Sequence, residues 1–425
     1  MRTSSAMRAV CVVAISTLFP DFVSAQSLKI AGQVELVVKE PTVQVAPDRY
    51  VRLRQKILRG SSEDRGTDKL DLGILDLAGP QVLTLSLPMA PIHERAADLL
   101  IDGRPHESYP GTYKHAAYKL ELIRYEPEKN RAGLLVRNKL AGPEKSWRQR
   151  FSYVHWDLKA KTVARSSILR EVSGPYARRH DFKIHNLGPE ADGVHHLLWH
   201  SEARADPKRE GWEAHRVEIL RLDVDAGKVE KAYALDLPAS NNKNRIGLDI
   251  GHTPGFEIIA FAEYSEQGDE PIEPRPAIYV VWLNEKRHIT FEAPYTCYGI
   301  AIDRAGTQMV IGSNQSRTLT KYDLKTGKKG AVSKTIAHLH HLGLSPDEKW
   351  LYVMPAGKRA ELRAWPSLKL KNRLTPAKVI PGQKELTKPM QTLDRRYFVM
   401  SAFEEPTFEE IPTDRPSKEY LLELK

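Results

Sequence analysis

Along the chain, short stretches that alternate apolar and polar residues are separated by turns rich in Gly, Asn, Asp and Lys. That is the period-two pattern of β-strands joined by tight hairpins. One form recurs: an apolar or β-branched run ends at an acidic or polar corner, passes a tight polar turn and gives way to a second run. Ile74-Leu75-Asp76 leads through Ala78-Gly79-Pro80 to Val82-Leu83-Thr84-Leu85. Val154-His155-Trp156-Asp157 leads through Lys159-Ala160-Lys161 to Val163, and Leu220-Arg221-Leu222-Asp223 through Ala226-Gly227-Lys228 to Val229. Val281-Trp282-Leu283-Asn284, Thr320-Lys321-Tyr322-Asp323 and Arg363-Ala364-Trp365-Pro366 continue the series. The corners fall at 76, 157, 223, 284, 323 and 366. An Asp or Asn at a corner can bond the turn backbone, so the position has a local role.

A second unit, strand–acidic turn–strand, lies between successive hairpins. Leu342-Gly343-Leu344-Ser345-Pro346-Asp347 through Trp350-Leu351-Tyr352-Val353 is its clearest copy, followed by Tyr298 to Ser313. Leu120 to Val136, Phe182 to His200, Ile246 to Tyr264 and Met390 to Ser401 are weaker copies. Two strands from each unit make a four-stranded blade. The last strand, Tyr420-Leu421-Leu422-Glu423-Leu424, lacks an outer partner, and Val34-Glu35-Leu36-Val37-Val38 can supply it. The expected fold is therefore an all-β, single β-propeller of about seven blades, its ring closed by strands from both chain ends. The segment Met89 to Tyr113 fits no strand pattern. The Ser345-Pro346-Asp347 unit resembles the repeat of lactonase-like and YVTN-type seven-bladed propellers, and more loosely WD40 repeats, over residues 295–380. The resemblance implies a fold; the many activities hosted by such repeats leave function open.

The ends and composition refine this picture. Arg2 and Arg8, an apolar run from Ala9 to Phe19 and the small residues Val23-Ser24-Ala25 read as a secretory signal peptide over residues 1–25, leaving 26–425 as the propeller domain. The expected location is periplasmic or extracellular. No other stretch is long and apolar enough to span a membrane. Beyond the signal Cys297 stands alone, so no internal disulfide can form and stability rests on the core. The formal charge of +10 suits acidic partners, while charges simply spread over solvated faces are the plainer reading. Lys and Arg are scattered, without the basic-aromatic pattern of nucleic-acid binding. No nucleophile elbow, phosphate loop, dinucleotide fingerprint, His-Glu-x-x-His or Cys-x-x-Cys motif occurs. Leu222 to Gly227 superficially resembles a calcium loop, lacks its bidentate Glu and reads as a hairpin turn. Ser265 to Pro276 and Glu404 to Pro416 are acidic stretches expected to be loops.

In a propeller the innermost strands begin around one mouth of the central channel, so residues just before them converge there. These are His115; Arg178, Arg179 and His180; Lys243, Asn244 and Arg245; Tyr295 and Tyr298; His338, His340 and His341; and Gln391. The set is rich in imidazole, guanidinium and phenol, which predicts a positive mouth. His115, Arg179, Arg245, Tyr295, His338, His340 and Gln391 are the ligand-binding candidates. His180, His340 and His341 could hold one divalent metal, zinc, manganese or calcium. His180, His341, Tyr298 and Arg245 are the catalytic candidates, with Arg neutralising a uronate while His and Tyr act as base and acid. Each histidine has an equally simple reading as a satisfied turn or core residue. His195, His196 and His200 fall on the next strand, where alternation would bury some and expose others. The leading functional reading is a binding module for an acidic glycan, envelope component or partner protein. The alternative is a carbohydrate-active enzyme, an acidic polysaccharide lyase or a lactonase. A structural part in a larger envelope assembly is the third.

Overall fold

The computed structural model describes residues 28–36, 42–46, 49–55, 69–76, 82–88, 118–141, 146–160, 162–175, 180–190, 193–203, 214–238, 246–265, 277–293, 297–313, 316–335, 339–355, 359–380, 382, 385–391, 393–403 and 417–424. The proposed signal peptide, the segment 89–113 and the body of both acidic stretches lie outside them.

The chain starts with β1 (Leu28–Leu36), and the next strands form six antiparallel meanders of four. Blade 1 is β2 (Thr42–Ala46), β3 (Arg49–Gln55), β4 (Lys69–Asp76) and β5 (Val82–Pro88). Blade 2 is β6 (Tyr118–Glu126), β7 (Arg131–Ala141), β8 (Ser146–Asp157) and β9 (Thr162–Pro175). Blade 3 is β10 (His180–Pro189), β11 (Val194–Ala203), β12 (Ala214–Asp223) and β13 (Lys228–Leu237). Blade 4 is β14 (Ile246–His252), β15 (Ile258–Ser265), β16 (Ala277–Trp282) and β17 (Arg287–Glu292). Blade 5 is β18 (Cys297–Ile302), β19 (Gln308–Ser313), β20 (Thr318–Asp323) and β21 (Lys329–Lys334). Blade 6 is β22 (Leu339–Leu344), β23 (Trp350–Pro355), β24 (Ala360–Ala364) and β25 (Leu370–Leu374).

Blade 7 is sewn from both ends of the chain. β26 (Glu385–Gln391), β27 (Tyr397–Phe403) and β28 (Ser417–Leu424) form a meander, and β1 adds antiparallel to β28 with Leu28 opposite Leu424 and Leu36 opposite Ser417. The expected pairing of the chain ends is present, with both strands beginning earlier than the apolar runs alone indicated. This is a β-propeller.

Local chemistry explains the hairpins. At the β8–β9 corner Asp157 Oδ1 accepts the Lys159 and Ala160 N–H groups at 2.9 and 2.8 Å. Asp223 does the same for Asp225 and Ala226 at 2.9 and 2.7 Å. Asp323 accepts the Thr326 N–H at 2.8 Å, and Gly327 in that turn has φ +72°, which glycine adopts without strain. The Leu222–Gly227 segment is indeed a turn. Asp223 serves its backbone, while Asp225 accepts from Arg124 and Arg131 of blade 2 at 2.7 and 2.9 Å.

Packing then joins the blades. A strand buried on both faces sends alternate residues to opposite neighbours. On β11, Leu197 and Trp199 pack with Phe151 and Tyr153 of blade 2, whereas Leu198 packs with Ile259 and Phe261 of blade 4. On β15, Ala260 and Ala262 turn instead towards Ile300 and Ile311 of blade 5. Val310 of blade 5 meets Leu351 and Val353 of blade 6, and Tyr352 and Met354 meet Phe398 and Leu422 of blade 7. Each such side chain contributes roughly 1.5–3 kcal/mol on burial.

Leu422 is fully buried on β28, the strand that holds the two chain ends together. Leu422→Ala should cost about 2–5 kcal/mol in urea unfolding. Val332→Ala, at a site 53 % exposed on β21, should change stability by about 0.5 kcal/mol or less. Equal effects of the two substitutions would contradict the role given to β28.

Candidate functional site

The innermost strands begin at one end of the channel and finish at the other. His180 is the first residue of β10, as expected for the strand-start mouth. His340 and His341 lie within β22 rather than before it, and Tyr298 is the second residue of β18. Tyr298 is partly buried and packs against the apolar cluster shared by blades 5 and 6. The side chains of His180 and His340 are not among those described. His115, Arg178, Arg179, Lys243, Asn244, Arg245, Tyr295 and His338 fall outside the described residues.

Gln391 stands at the end of β26, so it is at the mouth opposite His180. The strand runs back to Glu385 through Lys388 and Pro389, whose polar and imino character hides the strand in the sequence. Its ladder shifts register between Thr387 and Met390, beside that proline. Gln391 and His341 nevertheless meet at one place. Both line a cavity of about 90 Å³, open to solvent, at the strand-end mouth, together with His252, Arg395, Ile250, Ile300 and Leu342.

In blades 4, 5 and 6 the turns between the first two strands build this mouth on one plan. In blade 4 Thr253 Oγ1 accepts the Ile258 N–H at 3.1 Å; in blade 5 Asp303 Oδ1 accepts the Gln308 N–H at 3.0 Å; in blade 6 Ser345 Oγ accepts the Trp350 N–H at 3.1 Å. Each is a side chain bonding five residues ahead. By this alignment the last residue of the inner strand is His252, Ile302 or Leu344. The imidazole replaces an apolar residue, and that break in the repeat was the signal in the sequence that could have found it. Three residues beyond each cap the backbone is left-handed: Phe256 at φ +58°, Gly306 at +64° and Glu348 at +54°; Arg395 in the blade 7 turn has +63°.

The polar groups here are mostly engaged. His252 donates Nδ1–H to the Thr253 carbonyl at 2.9 Å, so its Nε2 is an acceptor. Its ring stacks on Phe256 at 4.5 Å, and His196 stacks on Phe256 at the same 4.5 Å. His196 also meets Glu190 at 2.7 Å, and His195 is hydrogen-bonded to Asn186. His195, His196 and His200 are all buried, so β11 hides its three imidazoles instead of alternating them. Burial pushes His252 and His341 down to about 4 and His195 to about 3, leaving each neutral at pH 7. His341 meets Phe398 edge to face at 5.8 Å, and its Nε2 is buried without a hydrogen-bond partner. Gln391 donates Nε2–H to the Leu344 carbonyl at 2.5 Å.

Arg395 is the one guanidinium lining the cavity. It pairs with Glu348 of blade 6, and its Nη2 donates to the Ile302 carbonyl of blade 5 at 2.5 Å. Among the described lining residues, this mouth is one paired cation, two neutral imidazoles, an amide and aliphatic side chains; the positive ring was expected at the opposite, strand-start mouth, whose basic residues lie outside the described ones. No three His, Cys, Asp or Glu side chains converge among the described residues.

The unpaired positive charge sits on the outer rim. The blade 5 hairpin carries Arg317, Lys321, Lys325, Lys328, Lys329 and Lys334, against one acid, Asp323, that its own turn consumes. None of the six forms an ion pair with a described residue, and all but the half-buried Lys321 are exposed. Arg363 of blade 6 fixes this hairpin by donating to Ser333 Oγ and the Lys334 carbonyl, both at 2.6 Å, while paired with buried Glu361. Lys369, Lys371 and Arg373 continue the basic surface on the blade 6 hairpin.

No family model and no curated protein matches this chain. Among solved structures it is similar to Kuenenia stuttgartiensis hydrazine synthase at 14 % identity and a TM-score of 0.33, over 48 % of this chain and 55 % of that one. The match thus spans little more than half of that relative's length. It is also similar to a chain in a crystal structure of a mitotic checkpoint complex, at 8 % identity and a TM-score of 0.47, over 97 % of this chain and 98 % of that one. Neither likeness assigns a function.

Asp249 on β14 supplies a pH test of the inner ring. It accepts the backbone N–H groups of Gly299 and Ile250, yet burial dominates and raises its carboxyl from 3.8 to about 7. The folded pKa lies above the unfolded one, so the folded chain keeps a proton that the unfolded chain releases. Its contribution to stability falls as pH rises from about 4 to 7. Asp249→Asn should leave stability unchanged near pH 4 and raise it by on the order of 1–3 kcal/mol at pH 8. The neutral histidines act in the opposite sense, losing stability as pH falls below 6.5 towards 4. The difference between variant and wild-type urea midpoints isolates Asp249; a difference independent of pH would refute its burial as a neutral acid.

Proposed function

We propose that this chain is an exported, non-catalytic binding module that holds an acidic macromolecular partner on the basic outer hairpins of blades 5 and 6. The observation that carries this reading is the distribution of charge. Cations at the strand-end mouth and along the seams are paired with Glu348, Asp225, Glu218 and Glu361. Those of the blade 5 hairpin have no partner among the described residues. Exposed like charges repel one another, and an acidic partner relieves the repulsion and releases counter-ions. The cations are mostly lysines, compact point charges on flexible stems, which suit the diffuse charge of a polymer better than forked recognition of one group.

An acidic glycan and an acidic envelope protein share this chemistry, and export is supported by the charged, apolar and small-residue succession over residues 1–25. Amino-terminal sequencing of the chain secreted by a bacterial host should start at Gln26; a start at Met1 would remove the export claim.

Binding is tested by titration with polygalacturonate and with poly-glutamate at low salt. Changing Lys321, Lys325, Lys328 and Lys329 together to Glu should weaken the preferred polymer by roughly tenfold or more and flatten its salt dependence. Lys286→Glu on the blade 4 hairpin should leave affinity unchanged. Preference for polygalacturonate or for poly-glutamate identifies the partner's class. Binding of neither polymer, or full binding by the four-site variant, would overturn the proposal.

A further inference from the structure

A second, separate site is built at the strand-end mouth. The left-handed position of the inner turn is filled by glycine in blade 5, where Gly306 meets it without strain. Blades 4, 6 and 7 place Phe256, Glu348 and Arg395 there instead. A side chain in that conformation costs on the order of 1 kcal/mol, and such residues gather where a fixed side chain has work to do. Phe256 wedges between His196 and His252, and Glu348 grips Arg395. The result holds one guanidinium at a cavity whose other walls mix aliphatic side chains with His252, His341 and Gln391.

The guanidinium is not fully used. Of its five N–H donors, Glu348 and the Ile302 carbonyl take one each among the described residues, which leaves donors for a planar anion. Arg395 is only 6 % exposed. Burial outweighs Glu348 and draws its pKa below the usual arginine value, so its charge is incompletely compensated. The cavity is far too small for a polymer, and it sets Ile250, Ile300 and Leu342 beside its polar groups, which suits a small ligand that joins an anionic group to an apolar part.

We propose that this cavity binds a small organic monocarboxylate, its carboxylate held by Arg395 and its apolar body lying against Ile250, Ile300 and Leu342. His252 Nε2 and the Gln391 amide border the same space and set the orientation of any further polar group on the ligand.

The test is isothermal titration of the mature chain with benzoate, and with benzyl alcohol as the neutral isostere. Benzoate should saturate one site with a dissociation constant of roughly 1 mM or tighter, as befits so small a ligand. Benzyl alcohol should bind at least about tenfold more weakly, the factor expected for losing a charge-assisted contact. Arg395→Lys keeps the charge but loses the fork, and should weaken benzoate by about tenfold at an unchanged melting temperature. If that variant unfolds, Leu342→Phe, which fills the apolar end, should block benzoate instead. The four lysine changes on blade 5 should leave benzoate binding intact, so failure of the rim and failure of the cavity are distinguishable. Equal affinity for the alcohol, no saturation by benzoate, or unchanged affinity in a folded Arg395→Lys or Leu342→Phe variant would overturn the site.

Discussion

Among the described residues, no sheet of blades 2 to 7 buries its faces alone, and everything else depends on that constraint. Each large apolar cluster among the described residues is shared by two successive blades. In blades 3 and 4 the second strand is the mediator, because its alternate side chains serve different neighbours. Ile259 and Phe261 look back to blade 3, while Ala260 and Ala262 look forward to blade 5. A four-stranded sheet removed from this stack would expose both faces, so the blades stand or fall as neighbours. It also explains why the last blade takes β1 from the far end of the chain. A three-stranded blade 7 would leave β28 as an unpaired edge beside the cluster that contains Leu422 and Phe398.

Charge is distributed around this apolar stack in two ways. At the seams, ions are paired across blades: Arg124 and Arg131 on Asp225 between blades 2 and 3, and Arg395 on Glu348 between blades 6 and 7. The Glu361–Arg363 pair is almost completely buried, at 2 and 3 % side-chain exposure. Desolvation offsets much of the attraction in such a pair, so its clearest effect is on register: Arg363 reaches Ser333 and Lys334 only when blades 5 and 6 are correctly stacked. On the outer rim the lysines of blade 5 face water without acids to neutralise them. Fixing that hairpin from beneath by Arg363 turns a collection of flexible cations into a surface of defined shape.

Most of the fold was legible because its signals are local. A corner Asp followed by a Gly-containing turn is a hairpin wherever it occurs, and Asp157, Asp223 and Asp323 bond their turns as that chemistry requires. Burial on both faces gave near-continuous apolar runs such as Ile258–Ala262 and Leu351–Met354, which marked the second strands. The site was less legible, since it depends on where strands end. Lys388 and Pro389 masked the first half of β26 and put Gln391 at the wrong mouth. Tyr298, His340 and His341 were placed a residue or more outside strands that include them. Arg395 carried no sequence signal of its own. Its importance comes from a contact with Glu348, 47 positions away, and with Ile302, 93 positions away.

The two mouths of the channel are therefore not equivalent, and the difference has a physical origin. Residues before the inner strands belong to connections between blades, whose lengths vary from one blade to the next. Residues after them belong to turns within a blade, where in blades 4, 5 and 6 one capping side chain and one left-handed residue recur at fixed spacing. Fixed spacing brings side chains from successive blades to one height around the axis. Phe256, Glu348 and Arg395 occupy that height at the cost of backbone strain, which the imidazole stack on Phe256 and the Glu348–Arg395 pair offset. A side chain locked in this way loses little further freedom on meeting a ligand, whereas a lysine on the rim must be immobilised for each contact. The strand-end mouth thus suits selective recognition of a small molecule, and the rim suits adaptable attraction of a large one.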